Sequence, residues 1–162
     1  MLLKVKINGE DKVLTIAAGE RLLDLLRREG YFSVKEGCRQ GNCGACVVLL
    51  DGRAVNSCMV FAARCEGREI ITAEGLGTPA RPHPLQEAFV NAGAVQCGYC
   101  TPGMLLSSQA LLAENPAPSM EEIKTALDGN LCRCTGYVKI IKAVQDAAKR
   151  MKGAKLKIHR GG

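Results

Sequence analysis

The chain has 162 residues, 47% of them hydrophobic, a net charge of +6, nine cysteines and no tryptophan. That supports a packed core in one domain or two small ones, and no apolar run is long enough to span a bilayer. The start, MLLKVKINGEDKVL, lacks the charged and then apolar regions of a secretory signal. An odd cysteine count also leaves one thiol over in any full disulfide set, so the cysteines read as ligands in a reduced, cytoplasmic chain.

In chain order, Leu3–Ile7 alternates apolar and polar residues, Asn8-Gly9 is a turn, and Val13, Leu14 and Ile16 resume a strand, which is a hairpin pattern. Arg21–Glu29 carries leucines at helical spacing, with Gly30 as its stop. A cysteine-rich loop follows. Cys46–Leu50 then reads as a buried strand, and Val55–Cys58 and Glu69–Thr72 as further short strands. The stretch GLGTPARPHP, residues 75–84, is a linker by its prolines and glycines. Beyond it the pattern turns helical. Leu85–Ala92 is short and amphipathic, and Thr101 is the expected N-cap of a helix through Glu114 with Pro102 at its first position. Ser119 and Glu122 form a capping box opening a helix through Asp128. Thr135 is the expected cap of a last helix with Val138, Ile141, Val144 and Ala148 on one face. The reading is α+β: a hairpin, helix and strand unit over 1–74, a linker over 75–84, a helical unit over 85–152, and a basic, mobile tail over 153–162. From Lys139 onward eight basic residues face one acid, Asp146. No aromatics interleave with them, so a solvated helix end is preferred to a nucleic-acid surface.

The cysteines fall into two sets. Cys38-x₄-Cys43-x₂-Cys46, then Cys58, is the plant-type ferredoxin spacing for a [2Fe–2S] cluster. Gly37, Gly41 and Gly44 give that loop the freedom to wrap a small object. Structural zinc favours paired C-x₂-C knuckles, which this x₄ step is not. Cys65 rivals Cys58 by spacing alone. Cys58 is preferred because it ends a predicted strand, and Cys65 reads as a half-buried, inert thiol. The second set is Cys97-x₂-Cys100 with Cys132-x-Cys134. Both pairs fall at helix boundaries, where helix N-termini following Cys100 and Cys134 favour the negative charge of ligated thiolates. There is no full G-x-G-x-x-G loop and no acid–base pair, and His83 and His159 fall in loops.

GCRQGNCGAC, the later Cys58, QCGYCTPGM and GNLCRCTGY together resemble the small iron–sulfur subunit of the molybdenum hydroxylases, the family of xanthine dehydrogenase, carbon monoxide dehydrogenase and 4-hydroxybenzoyl-CoA reductase. The resemblance covers roughly Leu2 to Lys149. It implies a plant-ferredoxin-like β-grasp domain followed by a four-helix-bundle domain, each holding one [2Fe–2S] cluster. It also implies that Cys97, Cys100, Cys132 and Cys134 hold the cluster toward molybdenum, and Cys38, Cys43, Cys46 and Cys58 the cluster toward FAD. Gln96 matches the glutamine that hydrogen-bonds the pterin. The implied partners are a large molybdopterin subunit and a medium FAD subunit, as a dimer of heterotrimers. No residue of this chain is then catalytic. Xanthine dehydrogenase-like purine hydroxylation is the preferred role. Carbon monoxide dehydrogenase, aldehyde or N-heterocycle hydroxylase, aromatic-CoA reductase and a free two-cluster carrier are the alternatives.

Overall fold

The computed structural model describes residues 1–152; the basic tail expected over 153–162 lies outside the described residues. Strands β1 (Leu2–Ile7) and β2 (Glu10–Thr15) form the hairpin, with Leu2 opposite Thr15 and Ile7 opposite Glu10. Asn8 and Gly9 both take positive φ at its turn, as an Asn-Gly hairpin requires. Helix α1 (Leu22–Arg28) follows, and Gly30, at φ 92°, ends it. Strands β3 (Val47–Leu50), β4 (Arg53–Asn56) and β5 (Glu69–Ile71) complete one sheet in the order β2-β1-β5-β3-β4, with β1 and β5 parallel. Leu22, Leu23, Leu25 and Leu26 of α1 pack on one face of this sheet against Leu3, Val5, Ile7, Val48, Leu50 and Ile70. This is the β-grasp arrangement.

Four helices follow: α2 (Pro84–Asn91), α3 (Thr101–Glu114), α4 (Met120–Leu127) and α5 (Val138–Met151). They share a core built on Leu85, Phe89, Met104, Ile123, Ile140 and Val144. The box predicted at Ser119 and Glu122 forms, Glu122 N–H donating to Ser119 Oγ at 3.3 Å and Ser119 N–H to Glu122 Oε2 at 2.7 Å. The other expected caps differ. Cys100, not Thr101, is the residue before α3, so Pro102 takes the second helical position. Thr135 does not cap α5, which starts at Val138 after Tyr137 turns left-handed at φ 67°. His83, expected in a loop, caps α2: its Nδ1 accepts the Leu85 N–H at 3.2 Å, and Gln86 Oε1 accepts the His83 N–H at 2.8 Å.

The second face of the sheet meets the bundle. Val47 and Leu49 of β3 point away from α1 and pack on Leu106 of α3, with Ile71, Leu76 and Ala110 around them. All four residues of β3 are therefore buried, two on each side. Among the described residues no helix is long and apolar enough to cross a membrane.

Candidate metal centres

Cys38, Cys43 and Cys46 lie on the loop between α1 and β3. Its backbone takes positive φ at Arg39, Gly41 and Gly44. That curl turns the Gln40 and Asn42 N–H groups onto Cys38 Sγ at 3.4 and 3.3 Å, and the Cys38 N–H onto Cys43 Sγ at 3.4 Å. The Gln40 N–H draws the Cys38 thiol down to about 6 against the opposing effect of burial, with the Asn42 N–H and Cys43 adding to it, a shift toward the thiolate, the form a metal binds. A Cβ on Gly37 would sit 2.6 Å from Cys43 Sγ, so glycine there leaves room for the sulfur.

Cys58 is not on a strand, as expected, but on a 3₁₀ turn, Ser57–Met59, just after β4. The turn is tied to the loop because Ser57 N–H and Oγ–H both donate to the Cys46 carbonyl, at 3.2 and 2.7 Å. Burial, and then a neighbouring Cys46 thiol, push Cys58 up to about 11. Cys65 is 0% exposed rather than half-buried. Burial raises its pKa, and the charges that reach it are Arg68 and Asp51, not other thiols. The fold thus brings Cys58 to the first set and leaves Cys65 in the apolar core.

The second set gathers where the Cys97–Cys100 loop meets the segment before α5. Cys134 Sγ is 3.6 Å from Cys97 Sγ, and Cys100 pairs with Cys132. Burial, then the Cys132 thiol, push Cys100 up to about 12. Burial also works against a Cys132 thiolate, but the Thr135 hydroxyl at 3.1 Å and N–H at 3.5 Å outweigh it and bring Cys132 to about 7. Thr135 therefore serves a sulfur instead of a helix, and Tyr137 braces the same turn by accepting the Cys132 N–H on its hydroxyl at 2.8 Å. Cys100 does precede a helix directly, whereas α5 begins four residues after Cys134. The four thiols line a recess of about 430 Å³ together with Tyr99, Leu131, Arg133 and Tyr137. Gln96 is exposed, and its Nε2 donates to the Cys134 carbonyl at 3.0 Å.

Two thiolates on one tetrahedral metal, with bonds of ~2.3 Å, stand about 3.8 Å apart. The Cys97–Cys134 separation matches one edge of such a site. Among the described residues no three His, Cys, Asp or Glu side chains converge closely enough to hold a single ion. Four thiols gathered as the pairs Cys97–Cys134 and Cys100–Cys132 suit a two-iron cluster, which takes two thiolates per iron.

The two loops touch. Leu131 N–H donates to the Cys43 carbonyl at 2.9 Å, and the buried Asn130 donates from Nδ2 to the Gly44 carbonyl at 3.1 Å. Asn130 falls within the GNLCRCTGY run, but only the packed fold shows that its amide is buried and reaches the first loop.

Comparison with known proteins finds two iron–sulfur domains in the chain. The family model described as a 2Fe-2S iron-sulfur cluster binding domain matches residues 5–76, and one described as a [2Fe-2S] binding domain matches residues 72–145. The chain is 50% identical over 149 residues to the nicotinate dehydrogenase small FeS subunit of Eubacterium barkeri, covering 91% of this chain and 95% of that one. It is 47% identical over 146 residues to the xanthine dehydrogenase iron-sulfur-binding subunit of Escherichia coli O157:H7, with 88% and 91% covered. Among solved structures, a chain of quinoline 2-oxidoreductase from Pseudomonas putida 86 superposes with a TM-score of 0.91 at 41% identity, covering 96% of this chain and 98% of that one. Iron-sulfur-binding subunits named for aldehyde oxidoreductase also match.

Proposed function

We infer that this chain, which belongs to the family of small iron–sulfur subunits of the molybdenum hydroxylases, relays electrons between a molybdopterin-containing subunit and an FAD subunit. Its two [2Fe–2S] clusters each supply a one-electron couple when bound. The chain's own residues hold, space and insulate those couples.

We assign Cys38 and Cys43 to one iron of the first cluster and Cys46 and Cys58 to the other. In the second cluster Cys97 shares an iron with Cys134, and Cys100 with Cys132. The close sulfur pairs and the N–H groups aimed at Cys38, Cys43 and Cys132 support this reading. The bundle set lies in a recess with Cys97 and Cys134 exposed, which suits a cluster met by the molybdopterin subunit. Gln96, exposed beside it, is placed to offer its free carbonyl oxygen to the pterin. The first set then faces the FAD subunit, in a dimer of heterotrimers. Residues 1–74 and 85–152 are the two cluster units and 75–84 their connection. Nine free thiols suit the reducing cytoplasm.

The observation that carries the relay is the junction of the two loops, where Leu131, one residue before Cys132, hydrogen-bonds the carbonyl of Cys43. A diffusible carrier needs no second thiol set bonded to its first. The substrate is proposed to be an aromatic N-heterocycle. Purine hydroxylation is one form of this, since the relatives are named for nicotinate, xanthine and quinoline. An aldehyde is the alternative. Anaerobic purification of the complex is expected to give about four irons and four sulfides per chain and two EPR signals on reduction. A larger molybdenum subunit and an FAD subunit should copurify. Zinc in place of iron, or a chain recovered alone with full redox competence, contradicts the reading.

A further inference from the structure

Arg39 directly follows Cys38 and has φ 56°, in the left-handed region that an L-residue seldom enters. With Gly41, it turns the Gln40 and Asn42 N–H groups toward Cys38 Sγ, and it is the non-glycine residue of that curl. Its own side chain holds the turn. Arg39 Nη2 donates to both carboxylate oxygens of Asp24, at 2.7 and 2.8 Å, and Nη1 donates to Glu36 Oε1 at 2.8 Å. Asp24 stands in the first turn of α1, whose leucines are locked in the core, so the clamp is anchored to the rigid unit. The main-chain carbonyl of Glu36 in turn accepts the Tyr99 hydroxyl, and Tyr99 sits between Cys97 and Cys100. A line of side chains that ligate nothing therefore runs from one thiol set to the other. Isolated surface ion pairs hold little, but here one guanidinium joins two carboxylates through three charge-assisted contacts, a small network rather than a pair.

We propose that Asp24, Glu36 and Tyr99 are positioning residues that set the reduction potential of the ferredoxin-type cluster by holding the Arg39 turn. N–H groups aimed at ligand sulfurs favour the more negative, reduced form, so withdrawing them makes the cluster harder to reduce. The proposal rests on the iron–sulfur assignment above and adds residues to it that no cysteine spacing reveals.

Charge and position predict opposite signs for Asp24→Asn. Deleting a carboxylate near Cys38 makes the surroundings more positive and, by charge alone, reduction easier. Releasing the clamp lets the turn relax and makes reduction harder. The test is an EPR-monitored redox titration of the complete complex with dithionite. Each cluster takes up one electron from dithionite, one iron(III) becoming iron(II), and no bond is made or broken.

The expected result for Asp24→Asn is a tenfold fall in the reduced-to-oxidised ratio of the ferredoxin-type cluster at a fixed ambient potential. That corresponds to about 59 mV for a one-electron couple. The bundle cluster should not move. Tyr99→Phe changes no charge and is expected to shift the ferredoxin-type cluster in the same direction by a smaller factor. It carries the test alone if Asp24→Asn does not assemble. A rise in potential for Asp24→Asn, or no shift in the variants that assemble, overturns the proposal. Absence of iron from the unmodified complex would instead overturn the functional reading on which it stands.

Discussion

Cys58 and Cys65 both line the core beneath the sheet, yet their surroundings differ in kind. Cys58 faces Cys46 and Cys38, with the Gly41 N–H nearby, whereas Cys65 feels only Arg68 and Asp51. Replacing each therefore has a different readout. Cys58→Ser is expected to abolish or reshape the EPR signal of the ferredoxin-type cluster while the bundle signal persists. Cys65→Ala is expected to leave both signals and the iron content unchanged, and to lower stability by about 1 kcal/mol, the scale of one buried methylene-sized group. Denaturant unfolding of the iron-loaded chain measures that loss. A Cys65 variant that loses iron would mean that Cys65 is the fourth ligand. Spacing left this choice open, since both thiols follow Cys46 at a tolerable distance. Residue environment favours Cys58, and environment depends on how the Ser57–Met59 turn and the Ala62–Cys65 turn, both 3₁₀, roll their side chains, a tertiary fact.

At the scale of elements, α2 carries the clearest titratable device. His83 Nδ1 accepts the Leu85 N–H and so must be unprotonated, and burial holds the His83 pKa below its ordinary 6.5. The unfolded chain therefore binds a proton more readily than the folded one. The contribution to stability is present in full above about pH 6.5, and it is lost progressively as the pH falls toward the depressed folded value. Thermal unfolding from pH 7.5 to 5 is expected to show a steeper fall for the unmodified chain than for His83→Asn. Asparagine caps as well or better and does not titrate. Equal slopes would remove His83 from the account, because acid effects on the thiolates are common to both proteins. The His83 cap was legible only indirectly. Histidine is not a usual N-cap, but Pro84 at the first helical position and Gln86 three residues after His83 fill the other slots of a capping box. Ser119 and Glu122 announced their box openly because both residues are of the expected type. The start of α5 was misread for the opposite reason: Thr135 is a good cap residue, but its hydroxyl is taken by Cys132 and the Tyr137 N–H.

For the whole molecule, the issue is what joins the two cluster units. The sequence shows a strand of four apolar residues, Val47–Leu50, and a helix, α3, with apolar residues all round; neither reveals a partner. The fold resolves both, because each is buried on two sides and faces the other across Val47, Leu49 and Leu106. At one end of that interface the backbones close in further. A Cβ on Gly103 would meet the Gly44 carbonyl oxygen at 2.2 Å, and one on Gly44 would meet the Gly129 carbonyl at 2.4 Å. Both obstacles are main chain, so they cannot swing aside as a flexible side chain does. Gly103→Ala is therefore expected to pry the Cys43–Leu131 junction open, lowering stability by about 1–3 kcal/mol and weakening the magnetic interaction between the two reduced clusters. Gly129 itself has open space around its Cβ position and no left-handed φ, so Gly129→Ala is the matched control and is expected to be neutral or slightly stabilising. Denaturation midpoints and EPR of the fully reduced protein compare the pair. If Gly103→Ala loosens the chain while the inter-cluster interaction stays as it was, the interlock stabilises the fold without setting cluster spacing. If both change together, the close approach of three glycine-lined backbone segments is what fixes the distance over which the relay works.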